Sequence, residues 1–558
     1  MDLRLSHKLG YGVLVVVPLG IALLSYPALK PGPASVETLP TLVHAPPPSK
    51  PTVEAEGLNA LAPTPTGTSR MVDATVSIRE RMIGAPVSRD TFGKFNANGV
   101  QLVAENPVST FSIDVDTASY AYVRQALQMG EVPVPEAVRV EELINYFDYD
   151  YGTPPEGGAP FASNVTVTPT PWNAGSRLVH IGIKGQRMDI ATVAPANLVF
   201  LIDTSGSMNA ANKLPLLKRA FALLINGMRP QDRISIVTYA GSAGVALEPT
   251  SAAEKAKILA ALDALEPGGS TAGAEGIQAA YRLAEQAFIK DGTNRILLAT
   301  DGDFNVGISE PDRLQQLIEE KRRAGVSLSI LGFGRGNYND EGMQALAQAG
   351  NGNAAYIDSY SEARKVLVEE LGGTLLTIAK DVKVQVEFNP HTVSEYRLIG
   401  YETRLLERED FNNDAVDAGD IGAGHSVTAL YEITPKGAPG AIDPLRYDQA
   451  AGLTATSTSD ELGFVKIRYK APDGDTSTLI ETPIAATGLM PTLEAAPDDT
   501  RFAIAVAAFG QKLRKSTYLD KMEWAAIKAL AQSGRGEDST GRRAEFLQLI
   551  VAARSLDK

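Results

Sequence analysis

The sequence predicts an α/β protein: a doubly wound domain with a mostly parallel sheet, inserted in or flanked by an antiparallel β-sandwich, with small helical N-terminal and C-terminal modules. Three observations support this fold class. Between about residues 195 and 380, short apolar strands alternate with helices, as in a parallel sheet covered on both faces. Segments on both sides of that region alternate apolar and polar residues between polar turns. Apolar spacings of three and four residues predict helices near both ends.

Changes in composition and periodicity divide the chain into seven segments. The predicted segments are a membrane anchor or signal segment (1–30), a Pro-rich disordered linker (31–75), a small α-rich module (76–160), strands that join the sandwich (161–190), the doubly wound domain (195–380), the β-sandwich (381–490) and a C-terminal helical segment (498–558). Because sandwich strands are predicted on both sides of the α/β domain, we expect that domain to be inserted into the sandwich.

The N-terminus predicts attachment to a membrane. Residues 9–29 carry no charge, and a helix of that length spans a hydrocarbon core of about 30 Å. Arg4 and Lys8 precede this stretch, which predicts that the rest of the chain faces the periplasm or the cell exterior. A cleaved signal peptide is the alternative, but Tyr26 and Pro27 stand where small residues are expected at a cleavage site. We therefore favour an uncleaved anchor.

Composition narrows the chemistry that the protein can perform. The formal charge of −14 disfavours nucleic acid as a partner. The chain has no cysteine, which excludes disulfides, thiolate catalysis and iron–sulfur clusters. With only five histidines, the sequence favours a hard cation held by oxygen ligands over a transition-metal site.

Three separated segments are predicted to bring oxygen ligands to one edge of the parallel sheet. "FLIDTSGSMN" (200–209) is an apolar strand followed by Asp203, Ser205 and Ser207. "EPGGSTAGAEGI" presents Thr271 just before a helix, and "LLATDGD" ends a strand at Asp301. Open α/β sheets bind ligands at the carboxyl ends of their strands. These five side chains are therefore our candidate metal ligands.

This pattern resembles the von Willebrand factor type A (VWA) domain and its metal-ion-dependent adhesion site, which combines Asp-x-Ser-x-Ser with a distant Thr and a distant Asp. Asp203, Ser205 and Ser207 match the first element, Thr271 the second and Asp301 the third. The resemblance covers about 185 residues and extends less specifically to bacterial proteins with similar flanking segments.

The ligand types favour Mg²⁺, with Mn²⁺ or Ca²⁺ as alternatives. Neutral hydroxyls leave such an ion electron-poor, with an open position that favours a carboxylate from outside. We therefore predict a non-enzymatic binding or scaffold protein, whose partner is a protein that offers an Asp or Glu side chain.

Other interpretations of these and other motifs remain open at this point. Ser205 and Ser207 could simply cap a helix. "FSIDVDTAS" places Asp114 and Asp116 as in haloacid-dehalogenase-type phosphatases, so the alternative function is a metal-dependent hydrolase that uses this pair or the VWA acidic cluster. A structural envelope component with a vestigial metal site is a third hypothesis. The segment from Asp410 imitates a calcium loop but lacks its Gly and Glu.

Overall fold

The computed structural model describes residues 89–155, 157–188, 193–269, 273–302, 311–370, 373, 376–443, 460–472, 474–519 and 521–557. The predicted anchor and linker lie outside the described residues, and so does Thr271. Across the described ranges, no helix is both long enough and apolar enough to cross a membrane.

The strands and helices are numbered here in chain order. The strands are β1 Gln101–Leu102, β2 Val108–Ser112, β3 Phe161–Pro169, β4 Arg177–Gly185, β5 Ala196–Asp203, β6 Arg233–Tyr239, β7 Ala243–Ser251, β8 Thr293–Thr300, β9 Ser327–Phe333, β10 Ala354–Ile357, β11 Thr377–Phe388, β12 Val393–Ile399, β13 Gly419–Gly422, β14 Ser426–Pro435, β15 Glu461–Lys470 and β16 Ser477–Ala485. The helices are α1 Ala118–Gln128, α2 Val140–Asn145, α3 Leu214–Gly227, α4 Lys255–Asp263, α5 Gly273–Gln286, α6 Pro311–Arg323, α7 Asp340–Ala349, α8 Tyr360–Arg364, α9 Asp498–Leu513, α10 Trp524–Ser533 and α11 Arg542–Leu556.

The doubly wound domain is built on a six-stranded sheet in the order β10-β9-β8-β5-β6-β7. Its first five strands in this order are parallel, and β7 is antiparallel to β6. Apolar cores lie on both faces, which explains why β5 is buried along its whole length. The predicted fold class is therefore confirmed, although the edge strand β7 was not anticipated, because most of its residues are polar, exposed or small.

The sandwich consists of two antiparallel sheets that enclose one apolar core. One sheet has the order β1-β12-β14-β4-β3, and the other has the order β13-β11-β15-β16 with β2 also paired to β11. Strand β4 precedes the doubly wound domain and β14 follows it, yet the two are neighbours, with Val179 opposite Tyr431. The α/β domain is thus inserted into the sandwich, as the sequence predicted.

The helices from the two ends of the chain form one core rather than two separate modules. Helices α1 and α2 contribute to the same apolar cluster as α9, α10 and α11. In its centre, the ring of Phe147 lies edge-on to Phe502, with centroids 4.8 Å apart, and to Phe546 at 5.6 Å. Periodicity predicts such helices, but it gives no sign that residues about 350 positions apart share a core.

One predicted helix is wrong in its last part. The sequence suggests a helix from Ser361 to Ile378, but α8 spans Tyr360–Arg364, a π-helix follows over Lys365–Glu369, and Ile378 lies in a strand. Strand β11 begins at Thr377, so the predicted domain limit at residue 380 falls inside a sandwich strand. Strand pairing of β11 with β2, β13 and β15 accounts for this, because long-range pairing overrides local helix propensity.

Candidate metal-binding site

Asp203 and Asp301 lie at the same edge of the central sheet. Asp203 is the last residue of β5, and Asp301 directly follows β8, which is the parallel neighbour of β5. Adjacent strands are about 4.8 Å apart, so the two side chains start from neighbouring positions. Both residues are fully buried, with 0% exposure. A pair of buried carboxylates at this edge is what the topology predicts for an oxygen-ligand site.

The turn after β5 presents the two serine hydroxyls together. The backbone N–H of Ser205 donates a hydrogen bond to Asp203 Oδ1 at 2.8 Å, which ties the turn to the carboxylate. Ser205 Oγ and Ser207 Oγ are 3.0 Å apart, with Ser205 buried and Ser207 exposed. Ser205 stands at the N-cap of a short 3₁₀ helix, but its side chain makes no capping hydrogen bond. Capping therefore does not explain Ser205.

Thr271 remains a prediction, because residues 270–272 lie outside the described residues. The chain just before it is held against the same turn by two backbone hydrogen bonds. Gly206 N–H donates to the carbonyl of Gly269 at 3.2 Å, and Gly268 N–H donates to the carbonyl of Thr204 at 2.7 Å. The segment that leads to Thr271 thus runs beside the Asp203–Ser207 turn.

The two carboxylate oxygens of Asp301 differ in their contacts. Lys213 Nζ donates to Asp301 Oδ2 at 2.8 Å, and this ion pair is almost completely buried. Asp301 Oδ1 is also buried, but it has no hydrogen-bond partner in the described part of the chain. Sequence reasoning missed Lys213. Its only signal was its position at the start of the helix that follows the Asp-x-Ser-x-Ser turn.

The electrostatics of the pair favour a cation. Burial raises the pKa of Asp203 above its ordinary value, and the nearby charge of Asp301 raises it further. Thr300 Oγ1, 3.3 Å from Asp203 Oδ2, and the Ser205 hydrogen bonds act in the opposite direction. A divalent ion beside two buried carboxylates would relieve both the desolvation and the repulsion.

The described donors fit a hard divalent cation. Carboxylates and hydroxyls are the ligands that Mg²⁺ and Ca²⁺ prefer, and Asp301 Oδ1, which has no partner among the described residues, offers an acceptor. Among the described residues, no group of three or more His, Cys, Asp or Glu side chains could hold a metal ion. A site at this edge therefore depends on Ser205 and Ser207 as well as on the two carboxylates.

The phosphatase-like pair Asp114 and Asp116 has a different environment. Both residues are buried, with 4% and 5% exposure. Arg404 donates to both, with Nε 3.0 Å from Asp114 Oδ2 and Nη2 3.0 Å from Asp116 Oδ2. Asp116 Oδ1 also accepts from the backbone N–H of Ala354 at 2.9 Å. Both carboxylates are held by Arg404, and they connect parts of the fold that are distant in sequence.

Local contacts also explain the acidic residues near Asp410, whose spacing is similar to that of a calcium-binding loop. Asp410 belongs to a 3₁₀ helix, Arg408–Asn412, and its carboxylate accepts from the backbone N–H of Glu407. Asp414 accepts from Arg468 at 3.1 Å. These acids serve as capping and ion-pair groups.

Comparison with known proteins agrees with this architecture. Residues 197–369 match the family model of the von Willebrand factor type A domain, residues 86–180 match the model named von Willebrand factor, and residues 373–556 match the model named "Uncharacterized protein YfbK, C-terminal". A VWA domain indicates a protein-interaction or adhesion role.

Two relatives and one solved structure differ widely in how much they share with the chain. This chain is 48% identical to the uncharacterized protein YfbK of Escherichia coli (strain K12) over 468 residues, which are 83% of this chain and 80% of that protein. Inter-alpha-trypsin inhibitor heavy chain H3 of Homo sapiens is 26% identical over 265 residues, which cover 44% of this chain and 29% of that protein. The solved structure, of a von Willebrand factor type A protein from Catenulispora acidiphila, has a TM-score of 0.39 and 16% identity, and covers 71% of this chain and 91% of that one. Identity of 48% over most of both sequences shows that the chain belongs to the family of YfbK, a bacterial protein family with a VWA domain.

Proposed function

We propose that this protein is an extracytoplasmic, membrane-tethered binding protein whose VWA site holds a divalent cation and binds a carboxylate of a protein partner. The role is adhesion or scaffolding rather than catalysis. Mg²⁺ is the first candidate for the ion, and Mn²⁺ and Ca²⁺ are the alternatives.

One observation carries this proposal. Two buried carboxylates lie at the carboxyl ends of neighbouring strands, two adjacent serine hydroxyls lie on the turn after one of these strands, and one buried oxygen, Asp301 Oδ1, has no partner among the described residues. Ser207 is exposed, so this edge is accessible from outside. A ligand set that is partly neutral and opens to solvent supports binding of an external anion.

Each of the five proposed ligand residues would have its own role in binding the ion. Ser205 and Ser207 would supply neutral oxygens, Thr271 a further hydroxyl, and Asp203 and Asp301 the negative charge that retains the ion. When bound, the ion supplies an electrophilic centre with a position open to an incoming carboxylate. The backbone hydrogen bond from Ser205 to Asp203 keeps the turn in shape independently of the ion.

The proposed location depends on the N-terminal sequence. The uncharged stretch 9–29, preceded by Arg4 and Lys8, supports an anchor with the VWA domain on the far side of the membrane from the cytoplasm. Protease accessibility in intact spheroplasts tests this placement. Digestion of the VWA domain from outside supports the proposal, and full protection contradicts it.

Metal binding is tested first with the ion alone. We expect titration calorimetry to show one Mn²⁺ or Mg²⁺ site in the full chain and none in Asp203→Asn. Asp263→Asn is the matched control, because Asp263 is an exposed acid in the same domain. Equal binding by Asp203→Asn and the wild type would contradict the site.

Carboxylate binding is tested next. Acetate, the smallest carboxylate, should displace a water from protein-bound Mn²⁺ and lower its water-proton relaxation rate, whereas acetamide should not. Partners captured from envelope extracts should be lost with EDTA and with Asp203→Asn, and kept with Asp263→Asn. A partner that binds equally in all these conditions would place the interaction elsewhere on the protein.

A further inference from the structure

Lys213 contacts the candidate site, although coordination of an ion does not require it. Its Nζ lies 2.8 Å from Asp301 Oδ2, and its side chain is only 9% exposed. The residue immediately precedes α3, and its backbone N–H donates to the carbonyl of Ala210 at 2.9 Å. A buried ammonium therefore stands beside one of the two carboxylates proposed to retain a divalent cation.

The path of the lysine side chain is prepared by the fold. Gly334 follows β9 and has a φ of +73°. A Cβ at this position would lie 2.5 Å from Cε and 2.7 Å from Cγ of Lys213. A residue other than glycine would thus collide with the lysine stem and would also be strained. The missing side chain at Gly334 thus leaves room for the lysine stem, and the ion pair with Asp301 holds the ammonium inside the protein.

The lysine changes the charge of the site. Asp203 and Asp301 contribute two formal negative charges and Lys213 adds one positive charge, so the formal charges of the three side chains sum to −1. A divalent ion would raise this sum to +1, whereas two carboxylates alone would be brought to neutrality. The serine hydroxyls do not alter the balance. An occupied site with Lys213 is therefore positive, which favours an incoming anion.

We propose that Lys213 is a resident counter-cation that lowers the affinity of the site for its divalent ion and leaves the occupied site attractive to a partner carboxylate. The inference rests on the proposed function and adds a residue that determines how tightly the ion is held. Lys213 engages Asp301 Oδ2 and leaves Oδ1 as the oxygen available to the ion or its water. Without an ion, the same ammonium neutralises Asp301 and stabilises the empty turn.

The test measures the affinity of Mn²⁺ alone for the full chain. Lys213→Met keeps the length of the side chain and removes its charge, and Lys213→Gln is the second variant. We expect both to bind Mn²⁺ at least tenfold more tightly than the wild type. In EDTA both should unfold at a lower temperature than the wild type, and Mn²⁺ should raise their melting temperature by more.

Lys218→Met is the matched control. Lys218 lies on α3, five residues after Lys213, and donates to the backbone carbonyl of Asp263 at 2.8 Å and to that of Leu265 at 2.5 Å. This variant should bind Mn²⁺ as the wild type does. If the Lys213 variants do not stay folded in EDTA, they are purified with Mn²⁺, and the affinity is measured by competition with a chelating dye.

The outcomes separate this inference from the proposed function. Unchanged or weaker Mn²⁺ binding by both Lys213 variants, with normal binding by the wild type, would overturn the role of Lys213 alone. That result would mean that the lysine only positions Asp301. A wild-type chain that binds no Mn²⁺ would overturn the metal site and this inference together.

Discussion

Replacement of Arg404 by Met should destabilise the protein strongly and in a pH-dependent way. Arg404 follows β12, and its guanidinium holds both Asp114 and Asp116, which follow β2. Asp116 in turn accepts from Ala354 in the central sheet. The variant leaves two buried carboxylates without their cation. It therefore disturbs a point where three parts of the chain meet.

The structure gives the size of the effect. Removal of one partner from a buried ion pair costs about 3–5 kcal/mol. Arg404 has a side chain only 10% exposed and serves two acids. We therefore expect the free energy of unfolding to fall by about 4 kcal/mol at pH 7.5.

The loss should grow with pH. Burial already raises the pKa of Asp114 above 3.8, and burial together with the charge of Asp114 raises the pKa of Asp116 well above it. A carboxyl whose folded pKa is raised holds its proton in the folded state, so its contribution to stability is lost as pH rises. Loss of Arg404 removes a contribution that lowers both pKa values. The difference between wild type and variant should thus be smaller at pH 5 than at pH 8.

Urea unfolding followed by circular dichroism at the two pH values measures this difference. Arg408→Met is the control, because Arg408 is exposed and lies four residues further on. In the Arg404→Met background, Asp116→Asn should recover part of the lost stability. It replaces one carboxylate that has lost its arginine partner by a neutral amide, and it keeps an acceptor for the backbone N–H of Ala354. Equal destabilisation at pH 5 and pH 8, or no recovery in the double variant, would refute the reasoning.

Three further perturbations have defined outcomes. Burial and the charge of Glu402 raise the pKa of Glu141 from 4.5 to about 8. The free energy of unfolding should therefore fall between pH 5 and pH 8 by up to about 1.4 kcal/mol per pH unit. Glu141→Gln should flatten this slope when unfolding by urea is measured across that range. Gly302→Ala should lower the melting temperature and weaken Mn²⁺ binding in calorimetry, because φ is +107° and the new Cβ would lie 2.3 Å from the carbonyl oxygen of Asn337; Gly99→Ala, whose Cβ would meet nothing within 4 Å, should change neither. Mn²⁺ at about 100 times its dissociation constant should add about 2.7 kcal/mol to stability, and scanning calorimetry should show that EDTA removes this gain; an unchanged melting temperature would contradict specific binding to the folded state.

The sequence was sufficient to predict the doubly wound domain and the position of its acids. Asp203 and Asp301 each follow an apolar strand, and parallel strands place their carboxyl ends at one edge. Both inferences use only short segments and a general rule of topology. The insertion of this domain into the sandwich was also predictable, because strand-like segments lie on both sides of it.

The contacts that complete the site were not predictable in the same way. Lys213 reaches Asp301 across 88 positions of the chain, and its route depends on Gly334, which is more distant still. The role of Asp114 and Asp116 depended on Arg404, 288 residues away from Asp116. Local sequence contains no signal for such pairs. A strand followed by Asp-x-Asp looks alike whether its partner is a substrate or an arginine.

Buried ion pairs join the helical core to the central domain, and their chemistry differs from that of the core itself. Arg124 of α1 binds Asp358, which directly follows β10, and Glu362, which lies in α8. Arg139 binds Asp340 at the start of α7, with Nη1 to Oδ2 2.5 Å. Because the desolvation cost of a buried ion pair offsets most of its attraction, such pairs add little net stability. Apolar packing of α1 on the central domain, where the ring of Tyr122 lies 5.8 Å from that of Tyr338 and 5.7 Å from that of Tyr356, therefore supplies the attraction, and the arginines restrict how the helical core is oriented on the VWA domain.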